Sequence, residues 1–179
     1  MDYARLLGLG RELLLAIGQD PDSEGLRDTP RRWANWWREF IEYEPGKTDT
    51  VFEQVVSGDI DQMVVVTGMR VWSLCQHHLL PFWCDVSIGY IARGQVLGLS
   101  KFARVAHQFA HRPQVQEGLG ADIAAEVMRL TGSPDVGVAL SGEHLCMVMR
   151  GVRTPGRMRS NTLCGAFRNA PTRAEFLAL

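Results

Sequence analysis

Apolar residues recur at helical spacing twice near the start of the chain. Leu6, Leu7, Leu9, Leu13, Leu14 and Ile17 predict a first helix of about four turns, broken by Asp20-Pro21-Asp22-Ser23. Thr29-Pro30 then offers an N-cap followed by a proline at the first helical position. The second helix carries Trp33, Trp36, Trp37 and Phe40 and ends by Pro45-Gly46. Tryptophans at this spacing fit core packing or a subunit contact better than a cofactor role.

From Gln62 to Leu99 the pattern turns β-rich. Val86, Ile88 and Tyr90 alternate with Ser87 and Gly89, as on a half-buried strand, and Arg93-Gly94 reads as a hairpin turn. Ser100 opens a third helix with Phe102, Val105 and Phe109 on one face, interrupted at Pro113. A fourth carries Leu119, Ile123, Val127 and Leu130 and closes at Gly132-Ser133-Pro134. Two more strands are expected, Val136 to Val152 and around Thr162 to Phe167. Helix-helix, β-β, helix-helix, β-β predicts an α+β domain with an antiparallel sheet and a helix pair between two hairpins.

Composition narrows this picture. The 179 residues suit one structural unit, and 19 basic against 20 acidic residues remove any electrostatic case for non-specific nucleic-acid binding. No apolar run approaches the roughly 20 residues that cross a bilayer. Asp2, Arg5, Arg11 and Glu12 among the first leucines do not read as a signal peptide, so a cytoplasmic location is the expectation. In that compartment Cys75, Cys84, Cys146 and Cys164 point to metal chemistry or buried thiols, not disulfides.

The densest polar cluster is Cys75-Gln76-His77-His78. Cysteine and histidine suit Zn²⁺, and Cys-x-x-His lets two ligands converge from one turn. A third ligand is offered by Glu143-His144-Leu145-Cys146. Read as a strand, that segment places His144, Cys146 and Arg150 on one side, with Met147 and Met149 turned to a core. Cys75, His78 and Cys146 would leave a fourth metal position open for catalysis, with His77 and His144 as proton-transfer groups. The same residues also fit buried thiols and structural imidazoles. In Gly98 to Arg104, Ser100 caps a helix with Lys101 and Arg104 in its first turn, a combination that suits a phosphate or simply a solvated basic face. In Arg112 to Glu117, two amides and a carboxylate cross a helix boundary, and a carboxylate can accept from the N–H and NH₂ edge of guanine.

Taken together, Cys75 to Phe82, Gly98 to Arg104, Arg112 to Glu117 and His144 to Gly151 resemble the GTP cyclohydrolase I family of the T-fold (tunnelling-fold) superfamily. The likeness runs from Thr29-Pro30-Arg31-Arg32 to Arg173-Ala174-Glu175-Phe176-Leu177. It implies an N-terminal helical segment, 1–48, and a T-fold catalytic domain, 49–179, assembling into an oligomeric β-barrel. Conversion of GTP to 7,8-dihydroneopterin triphosphate and formate is implied, with Zn²⁺ on Cys75, His78 and Cys146. His77, His144, Ser100 and Gln116 would be catalytic. Glu117, beside Gln116, would read the guanine. Lys101, Arg104, Arg150 and Arg32 would hold the triphosphate, with Gln76, Leu99 and Val115 also contacting substrate. A homodecamer with active sites between subunits is implied, and no nucleic-acid or membrane partner.

Two departures stand out. Gln76 replaces the family's usual glutamate, and Arg157-Met158-Arg159-Ser160-Asn161-Thr162 replaces a threonine-rich strand. They keep open a diverged paralogue that acts on another purine nucleotide or stops at the ring-opened formamidopyrimidine. A non-catalytic scaffold and the nitrile-reducing branch of the superfamily fit less well, because the prominent cysteines are placed as metal ligands.

Overall fold

The computed structural model describes residues 1–53 and 62–179, in two units, Met1–Glu44 and Pro45–Leu179. The first unit holds α1 (Tyr3–Ala16) and α2 (Thr29–Ile41). Asp2 caps α1 by accepting the Arg5 N–H at 2.9 Å. The cap of α2 falls one residue earlier than expected, at Asp28, and Pro30 sits in the first turn, where its missing N–H costs nothing. Tyr3 donates to Asn35 at 2.7 Å, and Trp33 and Trp36 both meet Trp37 edge-on.

The second unit contains β1 (Val51–Glu53), β2 (Gln62–Cys75), β3 (Pro81–Ala92), β4 (Gln95–Leu97), α3 (Leu99–Ala110), β5 (Pro113–Gln114) and α4 (Gln116–Thr131). It continues through β6 (Val136–His144), α5 (Leu145–Val148), β7 (Met158–Leu163), a 3₁₀ turn (Gly165–Arg168) and α6 (Ala170–Ala178). The main sheet runs β5-β2-β3-β6-β7, antiparallel except for the β2–β5 pair. Helices α3 and α4 fall between the β2–β3 and β6–β7 hairpins, the α+β order that the periodicity predicts.

Three expectations are corrected. Arg93-Gly94 does not turn a hairpin, because β4 leaves the sheet and pairs with β1. The strand expected from Val136 to Val152 ends at His144 and becomes helix. The strand expected around Thr162 to Phe167 runs earlier, as β7, and Gly165–Arg168 forms the 3₁₀ turn instead; β5 and α6 gave no clear pattern in the sequence.

Strand alternation divides the sheet into two faces. Val71, Phe82, Cys84, Val86, Ile88, Tyr90, Val138 and Leu140 pack under α3 and α4 with Phe102, Val105, Ile123 and Val127, forming the larger core. On the opposite face, Phe167 and Phe176 pack at 5.2 Å and cover Ile91, Met63 and Val65. Gly137 makes that approach possible, since a Cβ there would lie 2.5 Å from the Phe167 ring.

Asp135 ties the second cluster to the sheet. Its carboxylate accepts the Ala166 N–H at 2.8 Å and pairs with Arg93, while its carbonyl accepts the Ile91 N–H at 3.0 Å. Burial pushes its pKa up, but the Ala166 N–H and Arg93 outweigh this and hold it below the usual carboxylate range. The stabilisation is therefore present above the unfolded pKa of about 3.9 and is lost as pH falls through the folded value. Asp135→Asn should cost about 2 kcal/mol at pH 7, or roughly 5 °C in Tm, with the gap to wild type closing below about pH 4. A gap unchanged between pH 7 and pH 3 in thermal melts would contradict this assignment.

Candidate active site

The turn between β2 and β3 sets the first part of the site. The Cys75 carbonyl accepts the N–H groups of His78 at 3.3 Å and Leu79 at 2.8 Å, and the Cys75 N–H donates to Leu80 at 2.9 Å. Closing so tight a loop forces Leu79 to a φ of 52°, a conformation that costs a non-glycine residue about 1–3 kcal/mol. The return brings His78 Nδ1 to 3.6 Å from Cys75 Sγ. His77 lies just beside, its Nδ1 at 3.9 Å from the same sulfur.

Strand β5 then pins the start of α4 beside this turn. It pairs in parallel with the end of β2, and the Gln114 carbonyl accepts the Gln76 N–H at 3.1 Å. The buried Gln114 amide donates to Ser73 at 3.0 Å and to the Phe109 carbonyl at 2.6 Å. Gln116 and Glu117 therefore open α4 close to Cys75, with Val115 at the N-cap.

The third cysteine arrives by a different route from the one expected. Because β6 stops at His144, strand parity does not place Cys146 or Arg150; the single turn α5 swings Cys146 inward instead. Met147 and Met149 are exposed, not turned to a core. The ligand atoms of Cys75, His78 and Cys146 all lie within 4.8 Å of one another. Sulfur and nitrogen ligands at 2.3 and 2.05 Å on a tetrahedral ion stand about 3.6 Å apart, which the Cys75–His78 spacing matches. Burial and the neighbouring Cys75 sulfur push the Cys146 thiol up, so the two thiolates need a cation between them. The donor set thus fits a soft-to-borderline metal ion.

Behind the cluster, His144 is held from its far side. Gln116 is fully buried, and its Nε2 donates to Ser160 Oγ at 3.0 Å and the Met158 carbonyl at 3.2 Å. With the amide nitrogen committed to acceptors, Oε1 must face His144 Nε2, 3.0 Å away, and accept its hydrogen. The free acceptor of the imidazole is then Nδ1. Phe82 stacks on the ring at 4.5 Å, and burial lowers the His144 pKa against the pull of Glu117, favouring the neutral form.

Several of these supports carry no motif of their own in the sequence. Cys84 is a buried thiol, pushed up to about 12 by burial, whose S–H donates to Gln116 Oε1 at 3.4 Å. Gly142 leaves the space through which Gln116 reaches His144, and Ser160 sits in the stretch read as a departure from the family. Only the cross-strand register could have revealed them.

A second group gathers at the start of α3. The N-cap is Gly98, not Ser100, which lies exposed in the first turn beside the 74 % exposed Leu99. Lys101 is buried; its ammonium donates to the Lys47 carbonyl at 2.8 Å, and Arg104 reaches the same oxygen at 3.3 Å. Neither has a carboxylate partner among the described residues. Arg150 instead joins the first group, its guanidinium 3.0 Å from His78 Nε2. No hydrogen bond or ion pair among the described residues connects the two groups. Arg32 belongs to the first unit, exposed, with its guanidinium 3.7 Å from Asp28.

Comparison with known proteins gives this geometry its context. A profile of the family described as GTP cyclohydrolase I matches residues 9–179. The chain belongs to the GTP cyclohydrolase I family. Among its relatives, GTP cyclohydrolase 1 of Chromohalobacter salexigens is 43 % identical over 176 residues, covering 94 % of both chains. That of Sulfurihydrogenibium sp. is 46 % identical over 171 residues, 94 % of this chain and 90 % of the relative. That of Corynebacterium glutamicum is 42 % identical over 182 residues, 99 % of this chain and 93 % of the relative. Membership of the GTP cyclohydrolase I family makes the chain an enzyme, and its Cys-His-Cys group could hold a metal ion. A solved archaeosine synthase QueF-like structure, 21 % identical, overlays 56 % of this chain and 92 % of its own with a TM-score of 0.45, too loose a likeness to carry an argument. No helix among the described residues is long and apolar enough to cross a membrane.

Proposed function

We propose that this chain converts GTP to 7,8-dihydroneopterin triphosphate and formate, with Zn²⁺ on Cys75, His78 and Cys146. The observation that carries this reading is the convergence of those three ligand atoms within 4.8 Å, beside a histidine oriented by Gln116. When bound, Zn²⁺ supplies Lewis-acid activation of water near neutral pH.

The chain's own residues then divide the work. Glu117, exposed on the first turn of α4, accepts from the guanine edge. His77, exposed on the turn, protonates the purine nitrogen released as the five-membered ring opens. His144, neutral and hydrogen-bonded through Nε2, offers Nδ1 to take up a proton during release of formate. Ser100 moves protons near the ribose during the rearrangement. Gln116 acts through His144 and is a positioning residue. Arg150, whose guanidinium stands 3.0 Å from His78 Nε2, would turn to the triphosphate when substrate binds.

Lys101 supports the anion reading most directly. Among the described residues the buried Lys101 ammonium has one carbonyl partner and no counter-charge, which a triphosphate would supply. Arg104 and Arg32 join it, with Leu99, Val115 and Gln76 framing the substrate. Because no hydrogen bond or ion pair among the described residues joins the Lys101 group to the Cys-His-Cys group, neighbouring subunits would complete the site, as in a homodecamer closed through T-fold barrels. The 74 % exposed Leu99 and 70 % exposed Val152 give that interface apolar surface. The reducing cytoplasm would keep all four cysteines as thiols.

A second reading rests on Gln76, exposed beside the metal turn. An amide donates as well as accepts, so a paralogue that stops at the ring-opened formamidopyrimidine, or that takes another purine nucleotide, would use this difference. Protein of known zinc content, given GTP and followed by mass spectrometry, separates the two. Formate together with dihydroneopterin triphosphate is the expected outcome; accumulation of ring-opened nucleotide without pterin would favour the paralogue.

A further inference from the structure

The sheet face opposite α3 and α4 is apolar only where the 3₁₀ turn and α6 cover it. Beyond Leu177 and Leu179 it opens into a well of about 410 Å³. The register arranges its polar lining in rows. Asp85, Ser141 and Arg159 lie side by side on β3, β6 and β7, and Ser87, Ala139 and Asn161 form the next row. Arg157 lines the well from just before β7.

Three features make this a site and not only a wet surface. Ser141 Oγ is buried without a hydrogen-bond partner, a cost that a bound group could relieve. Among the described residues the Arg159 side chain has no ion pair or hydrogen bond, nor does the Asn161 side chain. Charge is also unbalanced. Arg70, outside the lining, engages Asp85 at 2.8 Å, and Arg157 stands 3.5 Å from the same carboxylate, so among the lining side chains two guanidinium groups face one acid that Arg70 already shares. Glu143 lies one row further, opposite Trp83, outside the lining, and would still leave positive excess.

Two of the cations are held in advance. Arg70 and Arg157 stack on the Trp83 ring at 4.0 and 4.8 Å, which restricts both side chains before any ligand arrives. The volume lies within the roughly 300–1,000 Å³ range of small-molecule pockets and exceeds what one inorganic ion needs.

We propose that this well is an anion-binding site separate from the active centre, taking phosphate or a small phosphate ester. Arg157 and Arg159 would bind the phosphoryl oxygens, and Ser141 and Asn161 would donate to them. It gives a role to the arginine-rich stretch that the cyclohydrolase chemistry leaves unused.

The test is isothermal titration of full-length, zinc-loaded protein carrying Lys101→Ala and Arg104→Ala, which weakens the proposed triphosphate site. Inorganic phosphate and ribose 5-phosphate are the two probes, and whichever binds tighter tells a free ion from an ester. Saturable binding of one probe per chain is expected. Adding Arg159→Ser should weaken it at least about tenfold, and Ser141→Ala by a smaller factor. No binding in the Lys101→Ala, Arg104→Ala protein, or an isotherm indifferent to Arg159→Ser in protein with an unchanged melt, would overturn the proposal. Arg159→Ser alone should turn over GTP at the wild-type rate in phosphate-free buffer; lost turnover would refute the separation of the two sites.

Discussion

Cys146→Ser is expected to lose bound metal and to slow GTP turnover by about a thousandfold, the equivalent of ~4 kcal/mol of transition-state stabilisation. A serine hydroxyl does not ionise near neutral pH and is a hard donor, so it cannot replace a thiolate opposite Cys75. The fold should survive, because Cys146 is only half-buried and packs at the edge of the larger core. Metal content by mass spectrometry, turnover and a thermal melt together decide the matter. Cys84→Ala is the control: its thiol is held protonated by burial and touches Gln116, so metal content should not change. Near-stoichiometric, tightly held metal in Cys146→Ser would remove this cysteine from the ligand set.

Gly142→Ala should damage the fold and the candidate site together with one added methyl group. A Cβ at this position would run into the Trp83 carbonyl and approach Cys84 Sγ to 2.7 Å and Gln116 Oε1 to 2.9 Å. The Trp83 carbonyl belongs to the β3–β6 pairing, Cys84 Sγ is buried in the larger core, and the Gln116 amide is held by its own hydrogen bonds. None can yield cheaply, so a loss of about 3 kcal/mol is expected from overpacking. The folded fraction should also turn over about 10–100-fold more slowly, because Gln116 cannot keep its bond to His144 while making room. Denaturant unfolding measures the first effect, and kcat measured well below the melting temperature isolates the second. Full activity in a destabilised protein would show that Gln116 supports the fold and not His144.

The two effects separate what is local from what is assembled. Cys75 and His78 were legible as converging donors because both belong to one turn, where three residues of separation suffice. Cys146 was legible as a donor but not as a position. Parity assumed a continuing strand, and α5 brings the sulfur inward by helical rotation instead. Lys101 and Arg104 were read at a helix start, yet their shared partner, the Lys47 carbonyl, lies more than fifty residues earlier and carries no side-chain signal.

The sequence by itself determined α1 to α4, the long strands and their alternating faces, because these follow from periodicity over neighbouring residues. It also determined the donor types for a metal, because those are side-chain chemistry. Register, by contrast, came only with the tertiary structure. Pairing β3 with β6 and β6 with β7 sets Gly142 against Gln116, and Ser141 beside Arg159, across separations of about twenty to sixty residues. A strand's local pattern says which face a residue takes but not which residue of another strand stands beside it, and that choice is made by the packing of the whole sheet.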